Sequence, residues 1–224
     1  MAKERIERAL KGTPGAAQPS TIVATETAFA RMAREEGQWK AFREFAAEDG
    51  LIHGRNGTVK ARQVFASLRE PDEAVQWRPK AVWMSCDGAL AVSQGRFVDP
   101  EGIVGSYVTV WQRQDDLSYR YAYDMASPDD PQPAPVVEEA PLPGEIRVTT
   151  LDSVEGNVAD CPRRGDGALP ARPMAMANAS GVSPDGTLAW RWVHLEGSRQ
   201  FAAAWFNEGE WKTAVDVAWP SPDE

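Results

Sequence analysis

Only two cysteines, Cys86 and Cys161, and two histidines, His53 and His194, occur in 224 residues. Two cysteines outside any CxxC or Cys/His spacing exclude a disulfide-rich scaffold and a zinc site. They either form one bridge between the two halves of the chain, which implies an oxidising compartment, or stand as two separate buried thiols. Basic residues are in the minority, 24 against 33 acidic, for a net charge of −9. A phosphate backbone or an anionic membrane needs clustered positive charge, so nucleic acid is excluded as a partner. No apolar run reaches the roughly 18–20 residues that span a bilayer, which excludes membrane insertion by a helix.

Catalytic signatures are equally scarce. There is no GxGxxG or phosphate-binding glycine loop and no HExxH, so neither a cofactor nor a metal is called for. Gly181-Val182-Ser183 lacks the second glycine of a nucleophile elbow. Asp129-Asp130 and Glu138-Glu139 read as solvating charges. Residues 1–12 carry closely spaced charges and no apolar stretch of an export signal, whereas Gly15-Ala16-Ala17-Gln18 resembles the small-residue end of a cleavage site. As written there is no export signal, and a periplasmic or secreted setting with a Cys86–Cys161 bridge stands as the alternative.

What the chain does have is 42% apolar residues and nine tryptophans, enough for a substantial core. Six of its seventeen prolines fall between Pro128 and Pro143, where missing amide donors prevent regular structure. This run divides the chain into an N-terminal extension (1–18), a first domain (19–127), a linker (128–144) and a second part (145–220). In the first domain, Ser20 is a candidate N-cap for a helix carrying Ile22, Phe29, Met32 and Ala33, stopped by Gly37. Trp39, Phe42 and Ala46 mark a second helix ending at Asp49-Gly50, and Val64 and Leu68 a short third one over 61–68. Leu51–Gly54 is long enough for one strand and a turn. After Pro71 the period becomes two: strands at 74–85, 90–99, 103–113 and 118–126 are separated by turn residues, which is an antiparallel meander. Helices followed by a curled meander describe an α+β fold with the helices on one sheet face.

The combination of Glu26-Thr-Ala-Phe29, Trp39-Lys-Ala-Phe42, Trp77-x-Pro79, Ser85-Cys-Asp-Gly-Ala-Leu-Ala-Val92 with Gly95, Gly105-x-Tyr107-Val-Thr-Val-Trp111-x-Arg113 and Tyr123-Asp124 resembles the NTF2-like superfamily, in its SnoaL-like, DUF4440-type branch. The resemblance covers about residues 20–126. It implies a cone of three helices on a curled antiparallel sheet, a pocket between them, and dimerisation through the outer sheet. It does not imply one activity, because a fold of this kind hosts many.

In the second part, 187–196, 199–207 and 211–219 alternate with period two, giving a small antiparallel β-meander. One face collects Leu188, Trp190, Trp192, His194, Phe201, Ala203, Trp205, Trp211, Thr213, Val215, Val217 and Trp219. So apolar a face either packs on the first domain or serves as an aromatic platform.

The pocket's candidates follow from strand facing. Trp77 and Trp83 share a side of the long strand; Tyr107 and Trp111 share one on a neighbour, and Gln94 on another. Together these five would line a small apolar or aromatic ligand, or simply fill the cone. His53 on the short strand and Asp124 on the last one form the candidate catalytic pair, suited to proton transfer beside a carbonyl. Two functions result: a non-catalytic small-molecule-binding or interaction module, and a cofactor-independent isomerase, dehydratase or cyclase using His53 and Asp124.

Overall fold

A computed structural model describes residues 16–134, 153–162 and 179–221. Most of the N-terminal extension and of the linker lies outside these residues. Helix α1 (Pro19–Glu36) begins with Pro19, whose fixed φ suits a first helical position, and its N-cap is Gln18 rather than Ser20. Ile22, Glu26, Phe29, Ala30 and Ala33 form its buried stripe. Gly37 adopts φ +124°, where a Cβ would be strained, and turns the chain into α2 (Gln38–Phe45).

The second helix is shorter than its sequence pattern predicts. At Ala46 the backbone becomes extended and enters β1 (Ala46–Gly54), whose pairing with β6 (Tyr119–Pro128) overrides a helix continuing to Gly50. A hairpin leads to β2 (Gly57–Lys60), followed by α3 (Ala61–Ser67) and then β3 (Gln76–Met84), β4 (Leu90–Val98) and β5 (Val104–Arg113). With β7 (Glu155–Val158) these strands make a seven-stranded sheet, ordered β2-β1-β6-β5-β4-β3-β7.

Two pairings depart from a purely antiparallel sheet, since β1 runs parallel to β6 and β7 parallel to β3. The helical crossovers and the long proline-rich return make parallel pairing possible. Strand β7 lies in the stretch assigned to the second part yet belongs to the first sheet. The second sheet comprises β8 (Ala179–Val182), β9 (Leu188–Leu195), β10 (Ser198–Asn207) and β11 (Glu210–Pro220), all antiparallel.

The seven-stranded sheet is covered on both faces. Toward the helices, Ile22, Phe29, Ala41, Ala61 and Phe65 pack with Val82, Met84, Ala91, Trp111 and Tyr121. On the opposite face Leu90, Val92, Val108, Val110, Tyr123 and Met125 pack with Leu188, Trp190, Trp192, Phe201, Ala203 and Val215 of the second sheet. Each fully buried Val, Leu, Ile, Phe or Met among them contributes roughly 1.5–3 kcal/mol by burial. The resemblance places a dimer contact on this outer face, but the chain's own second sheet occupies it. Cys86 and Cys161 are disulfide-bonded with Cα atoms 5.1 Å apart. Beside the bridge, the Cys86 amide donates to Thr187 Oγ1 (3.0 Å) and the Asp87 amide to Asp185 Oδ2 (2.7 Å).

Three of the register slips decide which way the aromatic side chains face. In β3 the register slips between Pro79 and Ala81, where proline cannot donate to the ladder. Trp77 therefore faces the helices while Trp83 packs into the core between the sheets, correcting the expectation that they share a side. In β6 a slip at Ala122 puts Tyr121 toward the helices and Tyr123 toward the second sheet. In β11 a slip at Ala214 moves Trp211 off the tryptophan-rich face and against Phe206, ring centroids 6.0 Å apart. Trp190, Trp192, Trp205 and Trp219 remain in the core between the sheets.

Candidate functional site

Helices α1, α2 and α3 do not fill the space above the sheet. A cavity of about 310 Å³ lies between them and strands β1, β3, β4, β5 and β6, walled mainly by Phe29, Phe42, Trp77, Phe97, Tyr107 and Trp111. Its polar groups are few, and the carboxyls of Glu26 and Asp124 are foremost among them.

Glu26 occupies the buried stripe of α1, four residues after Ile22 and three before Phe29, so helical periodicity carries its carboxyl into the core. The residue is 1% exposed. Its Oε2 accepts a short hydrogen bond from the Tyr107 hydroxyl, and Oε1 has no hydrogen-bond partner among the described residues. Burial pushes its pKa up to about 7 against the opposing pull of Ser93 and Tyr107, and the nearby Asp124 charge adds to the rise. Tyr107 can reach Glu26 because Gly95 lies beside its ring: a Cβ at Gly95 would stand 2.5 Å from the Tyr107 hydroxyl and 2.2 Å from the Arg78 carbonyl. Burial and the Glu26 carboxyl together drive the Tyr107 phenol well above its ordinary pKa, so it stays a donor.

Asp124 faces the cavity from β6, past the Ala122 bulge. It accepts a hydrogen bond from Thr109 Oγ1 at 2.7 Å, and burial raises its pKa to about 6 despite that bond. Two carboxyls in one aromatic cavity, both displaced toward neutrality, can exchange protons with a bound molecule at physiological pH.

His53 and Asp124 do not form a couple. The ring of His53, although the residue borders the cavity, turns to the sheet's other face. There Nδ1 hydrogen-bonds the Tyr123 hydroxyl (2.7 Å) and Nε2 shares a hydrogen bond with His194 Nδ1 (2.8 Å). Trp192 of the second sheet packs edge-on, 4.9 Å away between centroids. Burial, then the charges of His194 and Arg199, lower the His53 pKa to about 4, so the ring is neutral and both nitrogens are engaged. It joins the two sheets. Of the five expected lining residues, Trp77, Tyr107 and Trp111 line the cavity. Trp83 and Gln94 do not: the Pro79 bulge reverses Trp83, and Gln94 pairs with Val108 on the face toward the second sheet.

Two charged lining residues, Glu26 and Arg199, escaped the sequence reading. Glu26 announces itself only as an acid within an apolar helical stripe. Arg199 stands in line with Phe201, Ala203 and Trp205 on the inward face of β10, a charge at the end of an apolar row.

No family model matches the chain, and no curated protein matches it by sequence. Among solved structures it is similar to a candidate ketosteroid isomerase from Parabacteroides distasonis (16% identity, TM-score 0.41), covering 50% of this chain and 89% of that one. ActVI-ORFA from Streptomyces coelicolor (13%, TM-score 0.35) covers 50% and 96%, and a candidate ketosteroid isomerase from Shewanella frigidimarina (13%, TM-score 0.33) covers 50% and 98%. At these identities and TM-scores the likeness assigns neither a family nor an activity.

Proposed function

We propose that the cavity binds a small, largely apolar ring compound bearing a carbonyl or hydroxyl oxygen, and that the chain acts as a binding module for it. One observation carries this reading: an aromatic-walled cavity of about 310 Å³ holds two inward carboxyls, Glu26 and Asp124, that burial keeps near neutrality. A mostly apolar concavity with a few convergent polar groups is the usual make-up of a small-molecule site. A protonated carboxyl donates a hydrogen bond to a ligand oxygen, whereas an ionised one cannot.

The same observation favours a second reading, cofactor-independent proton transfer of the isomerase, dehydratase or cyclase kind. Here Asp124 would take a proton from carbon beside a carbonyl and return it, with protonated Glu26, held by Tyr107, as donor to the oxygen; His53, held between the sheets, takes no part. 2-Tetralone in deuterated buffer separates the readings. Binding without deuterium exchange at its acidic carbon supports the module. Exchange that Asp124→Asn abolishes supports the enzyme. Failure of 2-tetralone to bind, with no small molecule seen by native mass spectrometry of protein taken from its host, would sink both.

A further inference from the structure

The cavity also touches the second sheet, through one side chain. Strands β1 and β6 pair as far as Ile52 opposite Asp124 and then separate. Arg199 of β10 enters this gap: Nη1 donates to the His53 carbonyl (2.7 Å) and Nη2 to the Ala126 carbonyl (2.8 Å). It is the one Lys or Arg among the described residues lining the cavity, and it sits beside Ala126, which is exposed and marks the mouth.

Arg199 as a residue is 2% exposed. Guanidinium remains charged in proteins, and burying a charge without an opposite one is costly. Among the described residues no carboxylate pairs with Arg199, and Nε has no hydrogen-bond partner. Asp124 is not that partner: its carboxyl accepts from Thr109, and the guanidinium's hydrogen bonds go to the two backbone carbonyls instead. Arg55 adds positive charge rather than cancelling it. Two backbone carbonyls answer part of the cation, and the cavity lies beside it.

We propose that Arg199 is the anion-recognising group of this cavity and that the natural ligand is an aromatic or alicyclic carboxylic acid. Its carboxylate lies at the mouth against Arg199, and its ring lies inward among Phe42, Trp77 and Trp111. The second sheet thereby completes a site otherwise built by the first domain. The assignment rests on the reading that the cavity binds a ligand.

Isothermal titration of the full chain with 2-naphthoate and its neutral isostere 2-naphthamide tests it. The expected result is a preference of about tenfold or more for the carboxylate, the size of one charge-assisted hydrogen bond. Arg199→Gln should bring the ratio of the two affinities toward one. Because Arg199 also ties β1 to β6, Ala126→Asp provides a second route: a carboxylate placed on the exposed mouth satisfies the guanidinium and collapses the same ratio. Equal affinity of both probes for the unaltered chain would overturn the role of Arg199 and leave the cavity a binding site. If neither probe binds, both fall.

Discussion

Both faces of the seven-stranded sheet are packed with aromatic side chains, yet among the described residues one is closely filled and the other is hollow. Between the sheets, Tyr123 stacks on Phe201 with centroids 5.4 Å apart and the rings 17° from parallel, and Trp190 and Trp192 close over them. Under the helices, Phe29, Phe42, Phe45, Trp77 and Tyr121 pack tightly at one end, while Glu26, Tyr107 and Asp124 look into open space at the other. The composition of the face does not decide this; what covers it does. A second sheet can follow the first at about 10 Å along its length. Helices α2 and α3 have 8 and 7 residues, about 12 and 10 Å at 1.5 Å per residue, too short to roof the whole surface.

The faces also titrate in opposite senses. Burial raises Glu26 to about 7, so it favours the folded state fully below its ordinary value near 4.5, and that contribution is lost as pH rises through about 7. His53 is lowered to about 4, so its contribution is fully present above its ordinary value near 6.5 and is lost as pH falls through about 4.

The largest test of this contrast is packing. Phe201→Ala, in the solid core, should cost about 3–5 kcal/mol in urea unfolding. Phe97→Ala, on the partly exposed cavity wall, should cost well under half as much; equal costs would break the distinction. Next comes the bridge on the solid side. Reducing Cys86–Cys161 should remove about 2–5 kcal/mol, and non-reducing mass spectrometry showing two free thiols would remove the premise. Smaller still are the pH arms, about 1–3 kcal/mol each after relaxation. Glu26→Gln should flatten the fall in melting temperature between about pH 5 and 8, and His53→Gln the fall between about pH 6.5 and 4. A single variant flattening both arms would show that the faces are not independent. The smallest effect concerns Trp83: on the solid side, Trp83→Phe should change 2-tetralone affinity less than about twofold, about 0.4 kcal/mol, whereas Trp77→Leu should weaken it visibly.

Much of this was legible in the chain. The switch from helical to two-residue periodicity after Pro71 located β3 to β6 within two residues, because half-buried strands must alternate. The same alternation located β9 to β11. Alternation failed wherever a bulge intervened: at Pro79 it misplaced Trp83, and at Ala214 it misplaced Trp211. Short strands β2, β7 and β8, four residues each, carry too little pattern to be seen. Of the two residues paired in the sequence, Asp124 lines the cavity from β6, whereas the His53 ring bonds to Tyr123 and His194.

The order of helices and strands, the apolar stripes and the break at the proline run were determined by the sequence alone, because periodicity and backbone restriction act over a few neighbouring residues. Which carboxyls share a cavity, which way His53 turns, and that Arg199 from the far sheet reaches the mouth were decided only by tertiary structure. Those outcomes depend on bulge parity and on contacts between residues as distant in sequence as His53 and Arg199, which no local pattern encodes.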